Sequence, residues 1–285
     1  KSNLPGLVEK QLIKLENKTA CMGIGHLRYP TSGSKTMKEI QPFSIILPYD
    51  ISLVHNGNIS NQKYIFDFLK ENGVCCETTS DSELILKLFY FFMENDFNKI
   101  THDSIFSSVH KIYELCKGSF SVIIMIKNYG MIAFRDPHGI KPLSYCDGDP
   151  FIFASETVGI EKDNHRDLLN GEIIIIDSDL NKVNCLKYHN YNNLKPCLFE
   201  YIYFSRQESY INSVLVYDFR EKAGIKMYSL IDPTILKSID FVIPIPYTSV
   251  VSACSLANAC NKEIKYPVMK NRYTHRTFIN HGENI

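Results

Sequence analysis

The sequence predicts an α+β layered domain followed by an α/β unit, and three observations carry that prediction. Strand-like and helix-like segments come in clusters over the first two-thirds of the chain. A polar stretch, HNYNNLKP (189–196), interrupts the apolar patterning. After it the order becomes strand, tight turn, helix. In chain order, CMGIGHLR (21–28) and FSIILPYDISLVHNG (43–57) read as strands broken by turns. Apolar residues at helical spacing, among them Leu84, Leu88, Phe91 and Phe92, predict helices over 62–72 and 80–95. A further helix over 103–117 precedes an apolar β run at 120–126, and Tyr129-Gly130 makes a tight turn into MIAFRD, a hairpin signature. FIFAS and GEIIIID supply more strands. Beyond the polar stretch, the pattern predicts an amphipathic helix near 214–230, the strand FVIPIP (241–246) and a helix over 249–260. The division falls at 1–190 and 191–285.

Composition excludes several classes. Among 285 residues, Lys+Arg and Asp+Glu balance at 31 each, so net charge points to neither nucleic acid nor a membrane surface. No apolar run approaches the roughly 18 residues of a membrane span, and KSNLPGLVEKQL has no secretory apolar core. Nine cysteines, an odd number without regular spacing, resemble neither a disulfide framework nor a four-ligand zinc site. A reducing, cytoplasmic setting is expected.

Three short segments carry chemistry. Gly25-His26-Leu27-Arg28-Tyr29-Pro30-Thr31 ends a strand in a turn. Leu53-Val54-His55-Asn56-Gly57-Asn58 reads as a strand running into another turn. Ser80-Asp81-Ser82-Glu83 opens a helix, with Ser80 a candidate N-cap. Taken singly each is ordinary: Asn-Gly is a common hairpin turn, Ser-Asp-Ser-Glu a common helix start, and a strand-ending Arg is usually solvated. Together and in this order they resemble the glutaminase domain of class II glutamine amidotransferases, a family of N-terminal-nucleophile hydrolases with an αββα sandwich. The resemblance implies that Arg28 holds the carboxylate of glutamine through a fork-shaped, charge-assisted contact. Asn56 and Gly57 would stabilise an oxyanion with a side-chain amide and a backbone N–H. Asp81 would receive the substrate's α-amino group.

The resemblance also implies a cysteine nucleophile at the mature N-terminus, its own amine serving as base. The sequence starts at Lys1. Cys21 lies too close in sequence to Arg28 to serve, which leaves two expectations: a fragment, or a natural variant without glutaminase activity. Downstream, FRDPHGIKPL (134–143), CLFEYIYFSR (197–206), IPIPYTS (243–249) and KNRYTHRTFI (270–279) resemble the amidophosphoribosyltransferase family. That family makes phosphoribosylamine from glutamine and phosphoribosyl pyrophosphate (PRPP), and it implies a type I phosphoribosyltransferase domain, here partial. The segment with Lys270, Arg272, Tyr273 and Arg276 would then be a loop closing over PRPP, or it is simply a solvated basic face. Ser249 matches a position tied to the Mg2+–pyrophosphate complex, and it equally suits a helix N-cap. Tyr247 stands where the family has an acidic residue. Cys197 sits where an iron–sulfur ligand would lie in some members, although a buried strand cysteine accounts for it as well. An acidic PRPP-binding loop is not found before Ile285, so the chain as written is expected to be inactive. The family further implies a homo-oligomer. The alternative expectation is a non-catalytic glutamine-binding or regulatory homologue.

Overall fold

The computed structural model describes residues 22–27, 39–46, 49–93, 99–161 and 164–271. Its centre is a six-stranded antiparallel sheet, built from β1 (Phe43–Ile45), β2 (Ile51–Ile59), β3 (Gly118–Ile126), β4 (Gly130–Arg135), β8 (Ile173–Asp177) and β9 (Lys182–Cys185) in that spatial order. A three-stranded antiparallel sheet of β5 (Ser144–Cys146), β6 (Ile152–Ala154) and β7 (His165–Asp167) has β5 in its middle. Three helices cover one face of the large sheet: α1 (Gln62–Glu71), α2 (Asp81–Met93) and α3 (His102–Leu115).

β8 shows why the layers form. In its run of isoleucines, Ile173 and Ile175 join the core under the helices. Ile174 and Ile176 join a second core with Leu143, Tyr145 and Leu168, against the small sheet. Successive side chains of a strand point to opposite faces, so a strand buried on both sides reads as continuous apolar sequence. The helices contribute at helical spacing, as expected: Ile65 and Leu69 from α1, Leu84, Leu88 and Phe89 from α2, and Ile105, Val109 and Ile112 from α3. A reciprocal capping box between Thr101 and Ser104 starts α3. Helices, large sheet and small sheet make three successive layers.

The turn after β4 is clamped from within. Arg135 is fully buried and donates to the carbonyls of Lys141 (2.6 Å), Leu168 (2.8 Å) and Gly139 (2.7 Å), and to Asn212 Oδ1 (3.2 Å). The neighbouring Asp136 carboxylate accepts the N–H groups of Phe120, His138 and Ile140. FRDPHGIKPL is thus a turn in which Arg135 and Asp136 satisfy buried backbone groups.

Residues after the polar stretch pack onto that turn. The N–H groups of Lys195 and Cys197 donate to the carbonyls of His138 and Ile140, and Lys141 Nζ reaches Glu200 Oε1 at 2.6 Å. Then come a π-helical turn (Glu200–Phe204), a short hairpin of β10 (Tyr210–Ile211) and β11 (Val214–Leu215), α4 (Val216–Tyr228), α5 (Pro233–Ser238), β12 (Phe241–Val242), α6 (Val250–Cys260) and β13 (Glu263–Ile264). β12 and β13 pair in parallel, with α6 between them. The strand expected over 241–246 stops at Val242. Pro244 and Pro246 lack the N–H that a ladder needs. Gly224, inside α4, lets α6 come close: a Cβ there would sit 2.2 Å from the Ser252 carbonyl oxygen. Among the described residues no helix is long and apolar enough to cross a membrane.

Replacing Arg135 by Met keeps bulk but leaves the Gly139 and Leu168 carbonyls without a donor and the Lys141 carbonyl with the Ser121 hydroxyl alone. The expected loss is on the order of 3 kcal/mol of folding stability, measured by urea denaturation. A loss under about 1 kcal/mol would mean that the buried guanidinium is not what holds the turn.

Candidate active site

β2 organises the site. Its partner β3 pairs with its whole length, Ile51 to Ile59, whereas β1 pairs only with Ile51, Ser52 and Leu53. Backbone groups of alternate residues point to opposite edges of a strand. Phe120, opposite Gly57, turns its N–H and carbonyl toward Asp136 on the β4 side, so the N–H of Gly57 points away from β3. Past Leu53, the outward-pointing groups are those of His55, Gly57 and Ile59.

Side chains take the place of a strand at two of these three residues. Gln41 accepts from the His55 N–H at 2.6 Å and donates to the His55 carbonyl at 3.1 Å. The Asp81 carboxylate accepts the Ile59 N–H at 3.1 Å. Between them the Gly57 N–H has no hydrogen-bond partner among the described residues. The adjacent Asn56 side chain is half-buried, and its amide likewise has no partner among the described residues. Two donors on consecutive residues, one at the outer edge of β2 and one on its face away from His55, are therefore free among the described residues, with the Asp81 carboxylate two residues further along the edge.

Gly57 is required here by close approach. A Cβ would lie 2.0 Å from the Ser119 carbonyl oxygen and 2.6 Å from His55 Nε2. The Asn-Gly pair, expected as a turn, lies inside a nine-residue strand. The turn comes later, where Asn61 bonds the backbone of Leu115 and Lys117.

Asp81 is the first residue of α2, as its sequence position implied. The loop before it is held by Glu83, which accepts the N–H groups of Glu77 and Thr78, both at 2.7 Å. Thr79 bonds Glu39 at 2.9 Å, tying the segment that carries Gln41 to the same helix start. His55 completes the arrangement. Its side chain is 1% exposed, with Nδ1 3.2 Å from Ser82 Oγ and 3.7 Å from Asp81 Oδ1. Burial holds the imidazole below its usual 6.5, and the Asp81 charge opposes that only partly. Sequence reasoning missed Gln41, His55 and Ser82. The signal for His55 was present: it shares the parity of Ile51, Leu53 and Ile59, and so the core face of β2.

Asn56, Gly57 and Asp81 are thus brought together. Arg28 lies outside the described residues, as do Cys21, Arg272, Tyr273 and Arg276. Lys270 is exposed. Ser249 does not cap α6 with its side chain; its Oγ donates to the Ile245 carbonyl at 2.5 Å. No group of three metal-ligating side chains occurs among the described residues, and neither Ser249 nor Cys197 belongs to one.

Residues 26–162 match a family profile described as a glutamine amidotransferase domain. The amidophosphoribosyltransferase of Escherichia coli K12 is 38% identical over 93% of this chain and 54% of its own length. That of Saccharomyces cerevisiae is 35% identical over 90% of this chain and 53% of its own. The chain belongs to the amidophosphoribosyltransferase family. It spans about half the length of these relatives. Among solved structures it is similar to one described as the allosteric regulatory enzyme of purine biosynthesis, with a TM-score of 0.71 and 28% identity over 90% of this chain and 54% of that one. It is also similar to glutamine PRPP amidotransferase from B. subtilis complexed with ADP and GMP, with a TM-score of 0.68 and 26% identity over the same 90% and 54%.

Two outcomes test the site's construction. Gly57→Ala forces backbone apart and should cost about 2–3 kcal/mol in chemical denaturation; an unchanged midpoint would contradict the close approach. His55 is depressed in the folded chain, so the unfolded chain takes up the proton first as pH falls below 6.5. Stability present above that pH should be lost as pH falls through the lower folded value, and His55→Gln should flatten this part of the profile.

Proposed function

We propose that residues 1–190 form an N-terminal-nucleophile glutaminase domain and residues 191–285 part of a phosphoribosyltransferase domain. The whole reaction would be that of an amidophosphoribosyltransferase: glutamine, PRPP and water give 5-phosphoribosylamine, glutamate and pyrophosphate, the first step of de novo purine synthesis. The observation that carries this reading is the outer edge of β2, where two donors without a partner among the described residues sit near the carboxylate of Asp81.

Each residue then has a task. Asp81 accepts the ammonium of glutamine, and Arg28 pairs with its carboxylate. These contacts fix the amino-acid end and leave the side-chain amide beside Asn56 and Gly57. When a nucleophile adds to that amide carbon, its oxygen gains negative charge. The Asn56 amide and the Gly57 N–H, already in place, stabilise the charge without reorganisation. Gln41 and His55 hold the strand and the helix start in register. In the second half, Lys270, Arg272, Tyr273 and Arg276 would supply charge and cover for the diphosphate of PRPP.

Magnesium would be held together with the diphosphate of PRPP. Ser249, whose Oγ donates to the Ile245 carbonyl and keeps its oxygen lone pairs, is the described residue that would face it, and Tyr247 offers no carboxylate there.

Calorimetric titration with L-glutamine tests the glutamine pocket directly. Saturable binding is expected, and Asp81→Asn should weaken it at least about ten-fold by removing a charge-assisted contact. Asn56→Ala should leave affinity within about three-fold, because its contact develops only as the oxyanion forms. Equal affinity in Asp81→Asn, or lost binding in Asn56→Ala, would contradict these assignments.

A further inference from the structure

A groove of about 440 Å³ lies between α3 and β9, sharing no residue with the candidate active site. Asp103, Phe106, His110, Lys111, Cys185 and Lys187 line it. β9 is the edge strand of the large sheet, and Cys185 is its last residue, only half-buried. Its Sγ lies 3.6 Å from His110 Nε2. The imidazole is held in place from the side: the Tyr188 ring lies 4.9 Å from it, and the Tyr188 hydroxyl is fixed by Glu114 at 2.5 Å. Burial, with Lys187 nearby, holds His110 below its usual value, which keeps the ring neutral and able to accept a proton. Lys111 and Lys187 are exposed and place their ammonium groups over Phe92 and Tyr188 at 5.1 and 5.7 Å, and neither is ion-paired among the described residues.

A thiol next to an imidazole, in an open groove flanked by two cations, has the parts of an exchange site. Among the described residues, other cysteines lack them. Burial pushes Cys76 up to about 11 and Cys116 to about 12, so those thiols stay protonated. Cys75 is exposed but has no hydrogen-bonded base among the described residues that could take its proton.

We propose that Cys185 and His110 form a thiol-exchange site for a small disulfide of amino-acid or peptide type, whose carboxylates are received by Lys111 and Lys187. His110 Nε2 takes the proton of Cys185. The thiolate attacks one sulfur of the incoming disulfide, forming a new S–S bond as the old one breaks, and the departing thiolate takes the proton back from His110. Protein thiol and disulfide become a mixed disulfide and a free thiol, with no further oxidant needed. Asp103, on the same groove, suits the amino group that such a disulfide also carries.

The test incubates the chain with glutathione disulfide and follows adducts on all nine cysteines by peptide mass mapping. Cys185 should be modified first, and His110→Gln should slow it on the order of ten-fold while circular dichroism confirms that the variant is folded. Lys111→Gln with Lys187→Gln, both on the surface, should slow reaction with glutathione disulfide several-fold and leave reaction with neutral hydroxyethyl disulfide unchanged. Modification of Cys75 as fast as Cys185, an unaffected rate in folded His110→Gln, or equal slowing with both disulfides would overturn the proposal.

Discussion

Where a β-strand has a neighbour on one side only, the backbone groups of its other edge must be satisfied some other way, and β2 past Leu53 shows, among the described residues, how this chain does it. From His55 to Ile59 the outer edge is completed by side chains: Gln41 on one residue, Asp81 on another. The intervening Gly57 is left with its N–H outward. An unmet donor in a sheet interior would be costly, but at an edge it is available to a ligand. The rest of the site follows from holding that edge fixed. Glu83 shapes the loop that delivers Asp81, Thr79 and Glu39 join the Gln41 segment to the same helix start, and His55 fills the space behind.

The two halves of the chain meet at the turn after β4. Arg135 donates to two carbonyls of its own turn, to that of Leu168, and to Asn212, beyond the polar stretch. Lys141, in the same turn, bonds Glu200 and lies 4.9 Å from the Phe204 ring centre. A turn that sequence alone reads as Pro-Gly punctuation therefore also anchors the start of the following segment.

Much of the fold was legible because it is written in periodicity. The helices declared themselves through Leu84, Leu88 and their equivalents, and β8 through its unbroken isoleucines. Asn56-Gly57 was misread as a turn because the dipeptide has the same composition whether it bends a chain or admits a close neighbour. Only the position of the Ser119 carbonyl distinguishes the two. Gln41 and His55 escaped notice for a related reason. Their roles arise between segments 14 and 27 residues apart, which no local pattern encodes. The order of short motifs singled out Asn56, Gly57 and Asp81, which the fold places near one another along β2 and the start of α2.

The central claim is that the outer edge of β2 receives the amide of glutamine. A crystal structure with L-glutamine measures this most directly. The account predicts the side-chain oxygen of the ligand within about 3 Å of the Asn56 amide and the Gly57 N–H, and its α-amino group at a similar distance from Asp81. Glutamine bound with its amide turned away from Gly57, or held without Asp81, would contradict it.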